Sequence, residues 1–375
     1  MADILAIGIS GLRVHQTALT VTGHNITNAN TEGYSRQDIV VTAQTPQFNG
    51  GVWLGNGATI EDVRRIHDEF LQRQLVSDTS TFNELETLAN NAGQIDSLLA
   101  DPGTGLQPGL ESFFGSMQAA IDDPSSIPAR QVVLSESQGL VDRFQTIDAR
   151  LTDQNATVNG QLEVIVGQIN ALADAISELN KQILFASSGA GGTKPNDLLD
   201  RRDQAIKELS VLVGTTSVEQ DGNSVNVSIG NGQSLVIGTD VQKLSVVSGE
   251  NDPQRKSIVF EQNGAILDIT SELNGGQISG LLDFREQVLD PAIAQLGRIS
   301  LGLQEYINEQ HRLGIDLDGS PGELFFDDYN DRDVAMRRVV GNADNTQPND
   351  RQVAVYIDGF NGFIQQFIYL ITNHI

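Results

Sequence analysis

The apolar residues Val158, Leu162, Ile165, Ile169, Leu172, Ile176, Leu179 and Ile183 are separated alternately by four and three positions. A period of 3.5 keeps one stripe on one side of a helix, so the spacing predicts a helical seam that must bury against a neighbour along its whole length. No proline stands between Pro128 and Pro195, and glycines before Gly189 are isolated. The predicted helix therefore covers residues 129–187, roughly 85 Å at the usual rise per residue. A rod of that length does not fit one globular domain, and 375 residues suggest two or three.

A second heptad stripe opens the chain. Leu5, Leu12, Leu19 and Ile26 recur every seven residues, with Ile9 one turn after Leu5, which predicts a helix over residues 3–28 whose apolar face asks for a partner. Asn28, Asn30 and Gly33 then favour departure from the helix. Val40, Val41, Val52, Leu54 and Ile60 among glycines read as short extended segments, and helical spacing is predicted from about residue 61 to 99. After the long helix a shorter one covers 197–213, closed by Gly214. Alternation at Val225, Val227 and Ile229, with Asp221-Gly222 and Asn263-Gly264 as turn signals, predicts an antiparallel β domain. Helical spacing returns from Leu281 to Ile307, with Pro291 as a predicted kink.

The fold class is therefore mainly α with an inserted β domain, an elongated multidomain α+β chain. The expected division is an amino-terminal helix and connector (1–60), the first part of a long-helix domain (61–214), the β domain (215–275), a return helix (276–326) and an atypical segment (327–375).

A formal charge of −26 repels phosphate backbones and anionic lipid, so neither nucleic acid nor membrane is an expected partner. Cysteine is absent, which excludes disulfides and thiolate chemistry. The five histidines, His15, His24, His67, His311 and His374, never stand at i, i+3 or i, i+4. Asp316-Leu317-Asp318-Gly319-Ser320 begins like a calcium loop, but Pro321 holds the position that needs glycine, so an acidic turn is expected. Gly189 to Lys194 has the wrong order for a phosphate loop and reads as a connector. No catalytic constellation emerges; neither an enzyme nor a cofactor is expected, and no basic segment precedes Arg13 as a signal peptide would require.

The run Asn25-Ile26-Thr27-Asn28-Ala29-Asn30-Thr31-Glu32-Gly33-Tyr34-Ser35-Arg36-Gln37 resembles the signature of bacterial flagellar rod, hook and hook-associated axial proteins. Gly55-Asn56-Gly57, Asp62-Val63-Arg64-Arg65, Phe70-Leu71, Ala129-Arg130-Gln131, Gly139-Leu140-Val141, Asn196-Asp197-Leu198-Leu199-Asp200-Arg201-Arg202-Asp203, Asn308-Glu309-Gln310-His311 and Gly322-Glu323-Leu324-Phe325-Phe326 narrow it: residues 1–326 resemble the hook-associated protein 1 (FlgK) family. The resemblance implies a non-enzymatic, self-assembling ring at the hook–filament junction, extracellular and exported through the flagellar type III apparatus without a cleavable signal peptide. Implied partners are further copies, the hook protein, a second junction protein of the hook-associated protein 3 type, and an export chaperone that binds a carboxy-terminal segment. Alternatives are a hook or distal rod subunit, or a flagellum-associated cell-wall hydrolase.

Family members end in an amphipathic heptad helix that residues 356–375 do not resemble, and the expectation is a truncated or frameshifted carboxy terminus. The expected assembly surface is Leu5, Ile9, Leu12, Leu19 and Ile26 with Asn28, Asn30, Thr31, Gly33, Tyr34, Ser35, Arg36 and Gln37. Tyr34 and Arg36 are of the types enriched where protein surfaces meet.

Overall fold

The computed structural model describes residues 4–337 except 50, 104, 190–193, 250, 251, 253, 263 and 264, together with 355–357 and 366–368. In chain order the elements are α1 (Ile4–Thr27), β1 (Gln37–Ala43), β2 (Gln47–Asn49), β3 (Val52–Leu54), β4 (Ala58–Arg65), α2 (Glu69–Leu99), α3 (Leu106–Asp122), α4 (Ile127–Gly189) and α5 (Asn196–Leu212). Then follow β5 (Thr215–Glu219), β6 (Val225–Ile229), β7 (Gln233–Ile237), β8 (Asp240–Val241), β9 (Leu244–Ser248), β10 (Lys256–Gln262), β11 (Ala265–Asp268), α6 (Gly276–Phe284), α7 (Asp290–Arg312), α8 (Arg332–Arg337), β12 (Val355–Ile357) and β13 (Gln366–Ile368). The fold is mainly α with small antiparallel sheets. Most of the atypical segment, and most of the loop from Gly189 to Lys194, lie outside the described residues.

The chain forms two compact units, one of residues 1–92 and 156–285, the other of 93–155 and 286–375. The first unites the amino-terminal helix, the connector and the β segment, which the sequence reading had divided.

In the first unit the seam on α4 is buried at Val158, Leu162, Ile165, Ile169, Ile176 and Ile183, and half-buried at Leu172 and Leu179. Polar residues interleaved with it bond to the backbone of the β segment, in its strands and in its turns. Asn159 donates to Gln254 C=O at 2.7 Å and accepts Lys256 N–H at 3.1 Å, while Asn170 donates to Leu244 C=O at 2.8 Å and accepts Leu244 N–H at 2.9 Å. Asn180, fully buried, donates to Val225 C=O at 2.8 Å and Gly238 C=O at 2.6 Å. Each amide offers a donor and an acceptor together, which suits the paired N–H and C=O of a strand. The β segment thus forms part of what covers the seam. Its strands run β5-β6-β7-β8 and β11-β10-β9, with Val225, Val227 and Ile229 of β6 buried as their alternation requires.

Two expectations are corrected. Residues 61–65 are strand, not helix: β4 pairs antiparallel with β1 from Gln37↔Arg65 to Ala43↔Ala58, and the β-branched Ile60 and Val63 suit it. Helix begins only at Glu69, where Asp68 Oδ1 accepts the N–H groups of Phe70 and Leu71 at 3.0 and 3.2 Å. The return helix stops at Arg312, followed by a turn closed by the bridge Ile315↔Pro321, in which Asp316 Oδ1 accepts Asp318 and Ser320 N–H at 2.9 and 2.8 Å. Pro291 stands near the start of α7, directly after a π-helical stretch at Arg285–Leu289.

The second unit contains α3, which the sequence reading missed although Leu106, Leu110, Phe113 and Met117 carry helical spacing. Phe113, Leu140 and Ile307 form its core with Phe325 and Phe326 packed on it. Asn308 fixes those phenylalanines: its Oδ1 accepts both their N–H groups at 2.8 Å, and its Nδ2 donates to Phe326 C=O at 2.9 Å. His311 stacks edge-on to Phe325 at 5.5 Å.

Candidate assembly surface

α1 has two faces. Leu5, Ile9, Leu12, Leu19 and Ile26 are exposed, Leu12 at 71% and Leu19 at 73%. The inward face, centred on buried Val14, lies against β1 and β4. Ser10 Oγ accepts Ala58 N–H at 3.2 Å. Gly57, with φ +98°, makes that approach possible, because a Cβ there would stand 2.2 Å from Ser10 Oγ. By length and apolar composition alone α1 could cross a membrane, but the hairpin occupies one of its faces.

The signature following α1 is largely internal. Asn25 Oδ1 accepts Tyr34 O–H and Gln37 N–H, each at 2.8 Å, and Asn25 Nδ2 donates to Gln37 C=O at 2.9 Å. Tyr34 Oη also lies 3.1 Å from His24 Nδ1. Burial, then the nearby Asp197 and Asp200 carboxylates, raise the Tyr34 phenol above its ordinary value. Asn28 bonds back to His24 C=O at 3.0 Å, Thr31 to Asn28 Oδ1 at 3.3 Å, and Gly33, with φ +77°, lies against Gln204. Tyr34, Ser35 and Gln37 therefore face their own chain, whereas Asn30 and Arg36 are exposed.

What receives the connector is α5. Asp197, Asp200, Asp203 and Lys207 fall on one face of that helix by their spacing. Gln37 Nε2 donates to Asp197 Oδ1 at 2.8 Å and Ser35 N–H to Asp200 Oδ2 at 2.9 Å. Arg65 Nη1, on β4, reaches Asp200 Oδ1 at 3.1 Å and Asp203 Oδ2 at 2.5 Å, with both carboxylates largely buried. Asn196 Nδ2 donates to Val63 C=O at 2.5 Å, and Lys207 Nζ to Glu32 at 3.1 Å, which lowers the Glu32 pKa. Arg202, on another face of α5 and 1% exposed, donates to Asn223 C=O at 2.5 Å and Asn180 Oδ1 at 3.3 Å. Sequence reasoning quoted these two motifs separately and assigned Asn25, Arg65, Asp197, Asp200 and Asp203 no role. Only the i, i+3, i+6 carboxylates of α5 signalled a shared face.

The family model for the flagellar hook-associated protein FlgK helical domain matches residues 92–326, well over half of the chain. The chain belongs to the FlgK family. Relatives named flagellar hook-associated protein 1 include those of Salmonella typhimurium, 37% identical over 87% of this chain, and Escherichia coli, 34% identical over the same share. The Bacillus subtilis relative is 27% identical over 84%. The chain spans 59% of the Salmonella relative's length and 60% of the Escherichia coli one. The structure of the flagellar hook junction protein FlgK from Burkholderia pseudomallei superposes with a TM-score of 0.63 at 33% identity, covering 67% of this chain and 46% of that one.

Proposed function

We propose that this FlgK-family chain is a structural, self-assembling subunit of the bacterial flagellum that joins hook to filament. The observation carrying this reading is the α1 stripe. Five large apolar residues on one helix remain exposed while the opposite face is seated on the hairpin, and such a patch marks an interaction surface. On this reading the stripe buries in a ring of copies at the end of the hook, with a second junction protein above, after export that needs no cleavable signal peptide and is assisted by a chaperone. The clasp between connector and α5 holds α1 at a fixed orientation for that assembly. The relatives' names favour this reading over a hook, rod or cell-wall hydrolase role.

The test is Leu12→Asp with Leu19→Asp, produced in a bacterium lacking its own hook-associated protein 1. Exposed positions leave monomer stability within about 0.5 kcal/mol. The expected result is loss of filaments, with flagellin released as monomer; normal filaments would overturn the reading.

A further inference from the structure

The sheet β5-β6-β7-β8 ends in β5, and two bonds fix which backbone groups face its free edge. Gly230 N–H donates to Gly214 C=O at 2.9 Å and Gln220 N–H to Ser224 C=O at 2.8 Å, at the two ends of the register Thr215↔Ile229 to Glu219↔Val225. Hydrogen-bonded and non-bonded pairs alternate along an antiparallel ladder. The C=O of Gly214 and the backbone of Thr216, Val218 and Gln220 therefore bond toward β6, and Thr215, Ser217 and Glu219 direct N–H and C=O outward. Among the described residues nothing partners that outward row.

Beside the edge lies a cleft of about 350 Å³, bounded by Ser80, Thr81 and Glu84 of α2 and by Thr216 and Ser217 of β5. Its charged lining is Arg73, Glu84 and Asp203; Asp203 is bonded by Arg65 and Arg73 by Glu69 at 2.8 Å, which leaves the Glu84 carboxyl. Glu84, bonded by Ser279 at 3.2 Å, has the Asp283 carboxylate beside it. Burial and that like charge raise its pKa, and a cation beside it would offset the repulsion between the two carboxylates.

We propose that the β5 edge and this cleft receive an extended, basic peptide segment of a partner protein, which pairs as a fifth strand and directs a lysine or arginine at Glu84. Strand addition draws affinity from the main chain and specificity from alternate side chains, and the edge and the Glu84 carboxyl supply one of each.

The test uses the full chain and a fluorescent, end-blocked hexapeptide, Thr-Val-Lys-Val-Thr-Val, read by anisotropy and amide exchange. Expected are saturable binding, slowed exchange of the Ser217 amide, and roughly tenfold weaker binding for the same peptide with glutamate in place of lysine. Glu84→Gln should abolish that preference. Ser217→Pro, tolerated where the N–H points off an edge strand, should lower affinity for both peptides. Should that variant fail to fold, a peptide N-methylated at alternate amides asks the same question of the intact chain. Absence of binding at about 1 mM peptide, equal binding of the lysine and glutamate peptides, or undiminished binding of the N-methylated one would each overturn the proposal. So would self-association of the chain through this edge.

Discussion

Asp200 holds the connector by two contacts, Ser35 N–H at 2.9 Å and Arg65 Nη1 at 3.1 Å, and its side chain is 6% exposed. Asp200→Asn preserves its shape but replaces one acceptor with an NH₂ group. Both neighbours are donors, so one of them must face a donor. Leaving a buried donor unmet costs about 1–3 kcal/mol. Breaking a buried ion pair outright costs about 3–5 kcal/mol, but Arg65 retains Asp203 at 2.5 Å, which keeps the loss near the lower range. The expected cost is about 2 kcal/mol by urea unfolding, with an unchanged slope. Amide exchange locates it: the Ser35 amide should exchange roughly 30-fold faster, matching that energy. An unchanged Ser35 amide beside a fall in global stability would mean that Asp200 stabilises α5 alone and would refute the clasp.

Ile169→Asp places a charge at a fully buried seam position and should cost several kcal/mol in a thermal or urea melt. Asn308→Ala removes all three bonds to Phe325 and Phe326 and should cost about 2–3 kcal/mol, with faster exchange at both amides. Glu84 has a folded-state pKa raised mainly by burial, so its contribution is complete below about pH 4.3 and is lost as pH rises through the folded value; Glu84→Gln should flatten that part of the stability profile. Gly276→Ala, at φ +66° with a Cβ 2.3 Å from Val213 N, should cost about 3 kcal/mol or more by urea unfolding.

Elements with long, unbroken periodicity were legible. The seam from Val158 to Ile183 showed α4 as a helix, because a sustained 3.5 period has one reading, and Pro128 and Gly189 placed its ends within two residues, at Ile127–Gly189. Residues 61–65 of β4 were not legible as strand from spacing, because Val63 fits a helix as well as a strand and only pairing with β1 decides. The clasp escaped for a related reason. Ser35 and Asp200 stand 165 positions apart, and hydrogen-bond partners at that distance leave no periodic trace in the sequence.

The two faces of α1 let one helix serve the fold and, on the proposed reading, assembly. Residues seven apart share a face, so Leu5, Leu12, Leu19 and Ile26 form a stripe that the chain leaves exposed, while Ile7, Val14 and Val21, also seven apart, turn toward the hairpin. The inward stripe is thin: of its members only Val14 is fully buried. Such a face would hold α1 weakly by itself, since helix stability comes chiefly from packing. The connector beyond Thr27 supplies what is missing, because Asn25 is tied to Tyr34 and Gln37, and Gln37 and Ser35 to α5. Polar bonds at one end of the helix thus add to the thin inward stripe in orienting α1, and on the proposed reading the exposed outward stripe meets a partner.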